Sequence, residues 1–410
     1  MKVCMLAYTF YESDPRVRRY AEALAKRGDH VDIIALKRKD EASEEVLQGV
    51  RVFRIQKRVV NERAQISYLF RLLLFFFRSM AFQAKLDLEF RYDLIHVHSV
   101  PDFLVFAAWL PKLRGARVIL DIHDLLPEFY ASKFHTTRES VIFKLLLVVE
   151  RLSAAFADHV VVANHIWQAK LRSRSVTEHK CSAILNVPDR SIFFRRGRNR
   201  KDEKFIMLYP GTLNHHQGVD IAIRAFARIK DEAPNAEFHI YGMGDQKPFL
   251  LNLIADSGLK DRVFLKEPRP LTDISVIMEN ADLGVVPKRK EGFGDEAFST
   301  KILEFMSLGV PVIVSDTTVD QHYFNESLVR FFRSSDEQNL ANCMLQLIRD
   351  EGLRLQLARN AEQFISKNNW DVKKHEYLEL VDSLDRGRNG YRARRQREEV
   401  LNSAKSGKAH

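Results

Sequence analysis

Short apolar runs closed by turns alternate with amphipathic stretches over almost the whole chain, and the pattern occurs twice. In the first half the runs are KVCMLAY (2–8), VDIIAL (31–36), VRVFRI (50–55), DLIHVHS (93–99), RVILDI (117–122) and HVVVAN (159–164). In the second half they are FIMLYP (205–210), AEFHIY (236–241), VFLKEP (263–268), ADLGVVP (281–287), VPVIVS (310–315) and LVRFF (328–332). Strands this apolar are buried on both faces, as in a parallel sheet. Parallel neighbours need a crossover, and the intervening helical segments supply it. The first crossover carries Val17, Tyr20, Ala21, Leu24 and Ala25 on one helical face and stops at Gly28. Two rounds of this alternation predict an α/β protein of two doubly wound domains. A length of 410 residues fits two to three domains, at about 150 residues each. The charged segment RRGRNRKDEK (195–204) reads as a linker. The expected domains are therefore 1–195 and 196–369. An amphipathic helix over 370–385 and a basic tail over 386–410 complete the chain.

The densest chemistry lies in EGFGDEAFSTKILEFMSLGVPVIVSD, residues 291–316. Glu296 and Glu304 stand eight positions apart, with Lys301 between them. A Gly-Phe-Gly turn precedes them, and a helix is predicted over roughly 299–308, ending at Gly309. A helix N-terminus presents unpaired N–H groups and partial positive charge, so it favours phosphate. Ser299 and Thr300 open that helix, and Lys301 adds a full cation in its first turn. Glu304, one turn on, is placed to accept hydrogen bonds from sugar hydroxyls, and Glu296 can do the same from the loop. The bland alternative is a surface helix with a Lys–Glu pair three residues apart.

The stretch resembles the Glu-x7-Glu signature of retaining glycosyltransferases of the GT4 family. Glu296 and Glu304 fill the two acidic places, and Phe305, Met306, Gly309, Pro311 and Val312 match the signature on its C-terminal side. The likeness extends over about 1–385. It implies a GT-B fold, in which two Rossmann-like domains face a central cleft. Family members typically place a sugar-contacting His after the strand matched by RVILDI, and His123 stands there. Strand carboxyl ends are also where open α/β sheets bind ligands. His96 and His98, inside the preceding strand, read as structural. Asn186 and Asp189 fit the passage that closes the family's N-terminal domain. Gly211 matches the glycine that approaches the donor closely. Thr212 and Gln217 occupy places where the family often has Arg and Lys gripping the diphosphate. Gly242, in Gly242-x-Gly244, is a weaker donor-loop candidate. The start YESDPRVRR resembles a subgroup with a DPRVRR-like opening, in which Arg16, Arg18 and Arg19 would meet an anionic acceptor. A solvated helix face is the alternative there.

The reaction implied is transfer of a sugar from a nucleotide-diphosphate-sugar, UDP- or GDP-linked, to a hydroxyl on a sugar, lipid-linked or polysaccharide acceptor. No Asp-x-Asp metal loop is evident, and the resemblance implies neither metal nor other cofactor. His123, Lys301 and Glu296 are the expected catalytic residues. Gly211, Thr212, Gln217, Gly242, Ser299, Thr300 and Glu304 are the expected donor contacts. Two alternatives are a nucleotide-sugar 2-epimerase of the same fold and a binding protein that has lost catalysis.

Of the net charge of +10, six units lie in the tail, with eight basic against two acidic side chains. That tail is either a solubilising terminus or an attraction for an anionic inner leaflet. Nothing resembles a nucleic-acid module. ISYLFRLLLFFFRSMAFQAKL (66–86) has too short an apolar run to span a bilayer. It is either a core helix or an interfacial one. Residues 1–10 show no signal-peptide pattern. Cys4, Cys181 and Cys343 are odd in number and far apart. The expected place is the cytoplasm, or the cytoplasmic face of the membrane.

Overall fold

A computed structural model describes residues 1–58, 65–134 and 136–385; the predicted tail lies outside them. The chain forms two compact units, the first Met1–Tyr130 and Thr136–Leu185 with the last described residues from Lys374, the second chiefly Asn186–Lys373. The division after Leu185 falls nine residues before the charged linker expected from the sequence.

The first unit opens with β1 (Lys2–Ala7), α1 (Pro15–Arg27) and β2 (His30–Lys37). Asp14 caps α1 by accepting from the N–H groups of Arg16 and Val17, Pro15 takes the first helical place, and left-handed Gly28 stops the helix. A hairpin of β3 (Glu44–Leu47) and β4 (Val50–Lys57) comes next, then α2 (Gln65–Phe90) and β5 (Leu94–His98). A 3-10 segment (Asp102–Ala108) and α3 (Trp109–Leu113) follow. Beyond them lie β6 (Arg117–Ile122), α4 (Leu126–Phe134), α5 (Val141–Phe156), β7 (His159–Val162), α6 (His165–Arg174) and β8 (Cys181–Ala183). The sheet order is β3-β4-β2-β1-β5-β6-β7-β8. Only the β3–β4 pair is antiparallel. β3 escaped the sequence reading because EEVL carries no buried face. α2 buries Leu72, Phe75 and Leu86 and exposes Leu69, Phe70 and Phe77. It is a core helix with an apolar outer side.

The second unit runs β9 (Phe205–Pro210), α7 (Val219–Ile229), β10 (Ala236–Tyr241), α8 (Lys247–Asp256), β11 (Val263–Lys266), α9 (Leu271–Glu279) and β12 (Leu283–Val286). It continues with α10 (Phe293–Glu296), α11 (Thr300–Ser307), β13 (Val312–Ser315), α12 (Thr318–Tyr323), β14 (Arg330–Phe332), α13 (Glu337–Arg349) and α14 (Glu351–Lys367). A last helix, α15, covers 370–385. The sheet is wholly parallel, in the order β11-β10-β9-β12-β13-β14. Its core joins Met207, Phe226, Phe238, Val285 and Ile313. The order reverses direction at β9, so the loops after β9 and β12 flank a switch point where such sheets take ligands. Among the described residues no helix is long and apolar enough to cross a membrane.

Candidate active site

In the second unit, α11 starts directly after a residue that does not cap it. Ser299 is extended, its side chain makes no capping bond, and its hydroxyl is buried without a hydrogen-bond partner. The first N–H groups of the helix are therefore left for something else. Lys301 enters this space across Gly211. A Cβ on Gly211 would stand 2.2 Å from Lys301 Cε and 3.0 Å from its Nζ. Only a residue without a side chain lets the lysine lie there.

Gln217 organises the other side. Its Oε1 lies 3.5 Å from Lys301 Nζ and 3.0 Å from the Tyr209 hydroxyl, and its Nε2 lies 2.9 Å from His216 Nε2. The Tyr209 hydroxyl also donates to the Thr212 carbonyl at 2.7 Å. Lys301 Nζ sits 5.5 Å above the Tyr209 ring. Where the resemblance leads one to expect a second cation, an amide thus ties together a tyrosine, a histidine and the remaining lysine. Burial lowers the Lys301 ammonium to about 8, against the pull of Glu304. Burial, then Lys301 and Lys288, pushes His216 down to about 4. The neutral imidazole can accept from the Gln217 amide.

Gly242 stands behind this loop. A Cβ there would meet the Gly211 carbonyl at 1.9 Å, and Gly211 N–H donates to Tyr241 at 2.8 Å. Its visible role is close backbone packing under Gly211. Thr212 has an exposed side chain.

Glu296 ends the short helix α10 rather than lying in an irregular loop. Its neighbours are anchored on both sides. Asp295 accepts from the Thr318 N–H at 2.7 Å and from its hydroxyl at 2.8 Å. The Ala297 carbonyl accepts from Lys288 Nζ at 2.7 Å. Lys288 is buried and also pairs with buried Asp320 at 2.9 Å. The segment carrying Glu296, Ser299 and Lys301 is fixed before any ligand arrives. Neither Lys288 nor Asp320 was singled out in the sequence; a lysine directly after an apolar strand and Pro287 was the one available signal.

In the first unit His123 comes after β6 as expected, and the groups around it are the surprise. Its Nε2 lies 3.1 Å from Asp121 Oδ2 and 3.2 Å from His98 Nδ1, and His98 Nδ1 is itself 3.2 Å from Asp121 Oδ2. His96 Nδ1 reaches the Tyr377 hydroxyl at 2.9 Å, and Tyr377 stacks on Tyr20 at 4.2 Å. Burial opposes charge on His123, but Asp121 outweighs it and raises the imidazole above its ordinary value. Burial keeps His96 well below that value and lowers His98. Burial alone would raise Asp121; Arg16, then His123 and His98, holds it well below the usual carboxylate range.

Arg16 itself is a correction. It is 4% exposed and committed to Asp121 and the Ile184 carbonyl, so it does not face an acceptor. Arg18 pairs with Glu22 at 3.0 Å, and Arg19 donates to the Pro15 carbonyl at 3.0 Å. His96, His98 and Asp121 place three potential ligand atoms within 4.8 Å of one another. The Arg16 guanidinium beside the same carboxylate opposes a cation there. Asp121 was legible in principle, as a carboxylate interrupting the apolar run RVILDI two positions before His123.

A family model described as glycosyl transferase 4-like domain matches residues 13–186, and one described as glycosyl transferases group 1 matches residues 191–364. An uncharacterized glycosyltransferase of Methanocaldococcus jannaschii is 25% identical over 90% of this chain and 95% of its own. The N,N'-diacetylbacillosaminyl-diphospho-undecaprenol alpha-1,3-N-acetylgalactosaminyltransferase of Campylobacter jejuni is 24% identical over 57% of this chain and 62% of its own. Among solved structures, Anabaena HepE in complex with UDP-glucose aligns at a TM-score of 0.70 and 18% identity, covering 93% of this chain and 100% of that one. The two family matches lie end to end, one on each doubly wound unit, and the chain belongs to the group 1 glycosyltransferases of GT-B fold.

Proposed function

We propose that this glycosyltransferase moves a sugar from a nucleotide-diphosphate donor to an acceptor hydroxyl in cell-surface polysaccharide or glycolipid synthesis. The anomeric configuration is retained, and neither metal nor other cofactor takes part. The observation that carries the reading is the uncapped start of α11, with Lys301 laid across Gly211 beside it. Departure of the diphosphate concentrates negative charge on the leaving oxygens. Unpaired N–H groups and an ammonium held ready stabilise that charge without reorganising. The approach of the diphosphate raises the lowered proton affinity of Lys301, so the lysine carries its full charge when it is needed.

Glu304, on the body of α11, takes the ribose hydroxyls. Glu296, held between two anchored neighbours, orients the transferred sugar. His123 is assigned to sugar hydroxyls, with Asp121 fixing its orientation and favouring its charged form. UDP-glucose bound to the Anabaena protein supports a nucleotide-sugar donor. The lipid-linked substrate in the name of the Campylobacter enzyme supports an acceptor on a lipid carrier. A thermal-shift screen of UDP- and GDP-sugars tests the donor, because bound ligand raises apparent stability. NMR of the product anomer tests retention, and activity after exhaustive chelation tests the metal-free assignment. Incubation with donor alone separates transfer from 2-epimerisation. If no nucleotide-sugar shifts the melting temperature, the proposal fails.

A further inference from the structure

Three helices of the first unit lie on one face of its sheet. The connections β4 to β5, β5 to β6 and β6 to β7 all run the same way across the strand order. Right-handed crossovers then place α2, α3 and α5 on the same side, and α1, from the opposite-running β1 to β2 connection, on the other. Aromatic contacts join the layer: Phe76 on Phe103 at 5.9 Å, and Phe106 on Phe156 at 5.2 Å.

The inner sides of these helices pack on the sheet, yet their outer sides are apolar too. α2 exposes Leu69, Phe70, Leu73 and Phe77; α3 exposes Trp109 and Leu113; α5 exposes Val141, Leu145, Val148 and Leu152. The spacing on α2 and α5 makes a helical stripe in each. Exposure is high, at 65% for Phe70, 76% for Leu113 and 82% for Val141. An apolar surface spread over three adjacent helices marks a docking face.

Charge selects the partner. α2 carries Arg71, Arg78 and Lys85 against one exposed carboxylate, Glu89 in its last turn, Asp87 being buried. On α5 the exposed charges are Lys144 and Arg151, while Glu150 is buried against Arg174. A pocket of about 570 Å³ beside α2 brings Lys37, Lys57, Arg71 and Arg78 together with Phe70 and Leu74. Apolar stripes whose outward charges are mainly cations suit a bilayer interface, with the apolar groups at the acyl boundary and the cations among lipid phosphates.

We propose that the outer face of α2, α3 and α5 seats this protein on an anionic lipid surface. This rests on the exposed face alone and stands whatever donor the enzyme uses. The test is co-sedimentation of the full chain with phosphatidylcholine vesicles, with and without phosphatidylglycerol. The chain should pellet with the anionic vesicles and lose binding as salt rises. A Leu145→Asp/Val148→Asp variant and a Phe70→Asp/Phe77→Asp variant should each bind at least about tenfold more weakly. Their far-UV circular dichroism and melting should match the parent. A chain truncated after Asp385 should keep most of its binding. The proposal is overturned if both double variants bind like the parent, or if the truncation alone removes binding. It is also overturned if neutral vesicles bind equally, or if lipid-free sedimentation velocity shows a dimer that the same variants abolish.

Discussion

Arg16 grips both carboxylate oxygens of Asp121, Nη2 to Oδ1 at 2.7 Å and Nε to Oδ2 at 2.8 Å, and its Nη1 donates to the Ile184 carbonyl at 2.8 Å. The pair joins α1 to β6 at the start of the loop that carries His123. Arg16→Ala would leave a carboxylate and a carbonyl buried without a cation. The expected cost is about 3–5 kcal/mol from the unfolding free energy of the first unit, measured in urea. Acid should expose the same pair. Asp121 is held below its unfolded value, so the stability it supplies is present above the unfolded pKa and is lost as pH falls through the lower folded one. The parent should therefore lose stability on acidification more steeply than Asp121→Asn, and the gap between the two should close as pH falls.

The same carboxylate should set the charge of His123. Asp121→Asn keeps the shape and removes the anion 3.1 Å from His123 Nε2. The NMR titration midpoint of His123 should fall, and any alkaline limb of kcat/KM that it governs should move down with it. Turnover should drop by about tenfold or more. Tyr377→Phe, which touches His96 rather than His123, should leave the midpoint where it is. An unmoved midpoint in Asp121→Asn would show that Asp121 does not hold the imidazole.

The elements of this fold were largely legible, and the pairings that build the sites were not. Apolar strands and capped helices are local, so the predicted helix at 299–308 appears as Thr300–Ser307, and the predicted strand VPVIVS as Val312–Ser315. Arg16 and Asp121 stand 105 residues apart. Nothing in either neighbourhood says that α1 will cross β6, so Arg16 read as a surface cation. Lys288 and Asp320 meet for a similar reason: β12 and β13 are adjacent, so the segments after them come together. Gln217 looked like a loss of phosphate grip, because sequence alone cannot show an amide shared by Tyr209, His216 and Lys301.

That shared amide makes Gln217→Lys informative. A second ammonium near Lys301 should lower the lysine's proton affinity further in the empty protein and weaken its stability. A bound diphosphate would neutralise the pair. Donor binding should therefore tighten at pH 7 while the ligand-free melting temperature falls, both read in one thermal-shift titration. A variant that gains no affinity would mean that position 217 does not face the diphosphate.

Gly211 should matter only through Lys301. Gly211→Ala pushes a methyl into Lys301 Cε, and the flexible side chain must move aside. The fold should persist while turnover falls by about tenfold or more. In a double-mutant cycle, Gly211→Ala on a Lys301→Ala background should add little, because the displaced group is already gone. Additive losses would place Gly211 in direct contact with the donor instead.

Lys301 should trade stability for chemistry. Burial lowers its ammonium from the ordinary 10.5 to about 8. Between those values the unfolded chain holds more protons than the folded one, so the contribution of Lys301 to stability rises with pH across that window. Below about pH 8 the whole penalty of burying the charge is present. Lys301→Met should thus raise ligand-free stability at pH 7 by about 3 kcal/mol and flatten the rise toward pH 10. Turnover should fall by more than about tenfold at every pH. In the parent, donor binding above pH 8 should take up a proton, visible in calorimetry as a heat that depends on the buffer. Lys301→Arg, charged throughout, should bind without that uptake. A Met variant no more stable than the parent would show that the charge is already solvated in the empty site, and the proton uptake should then be missing as well.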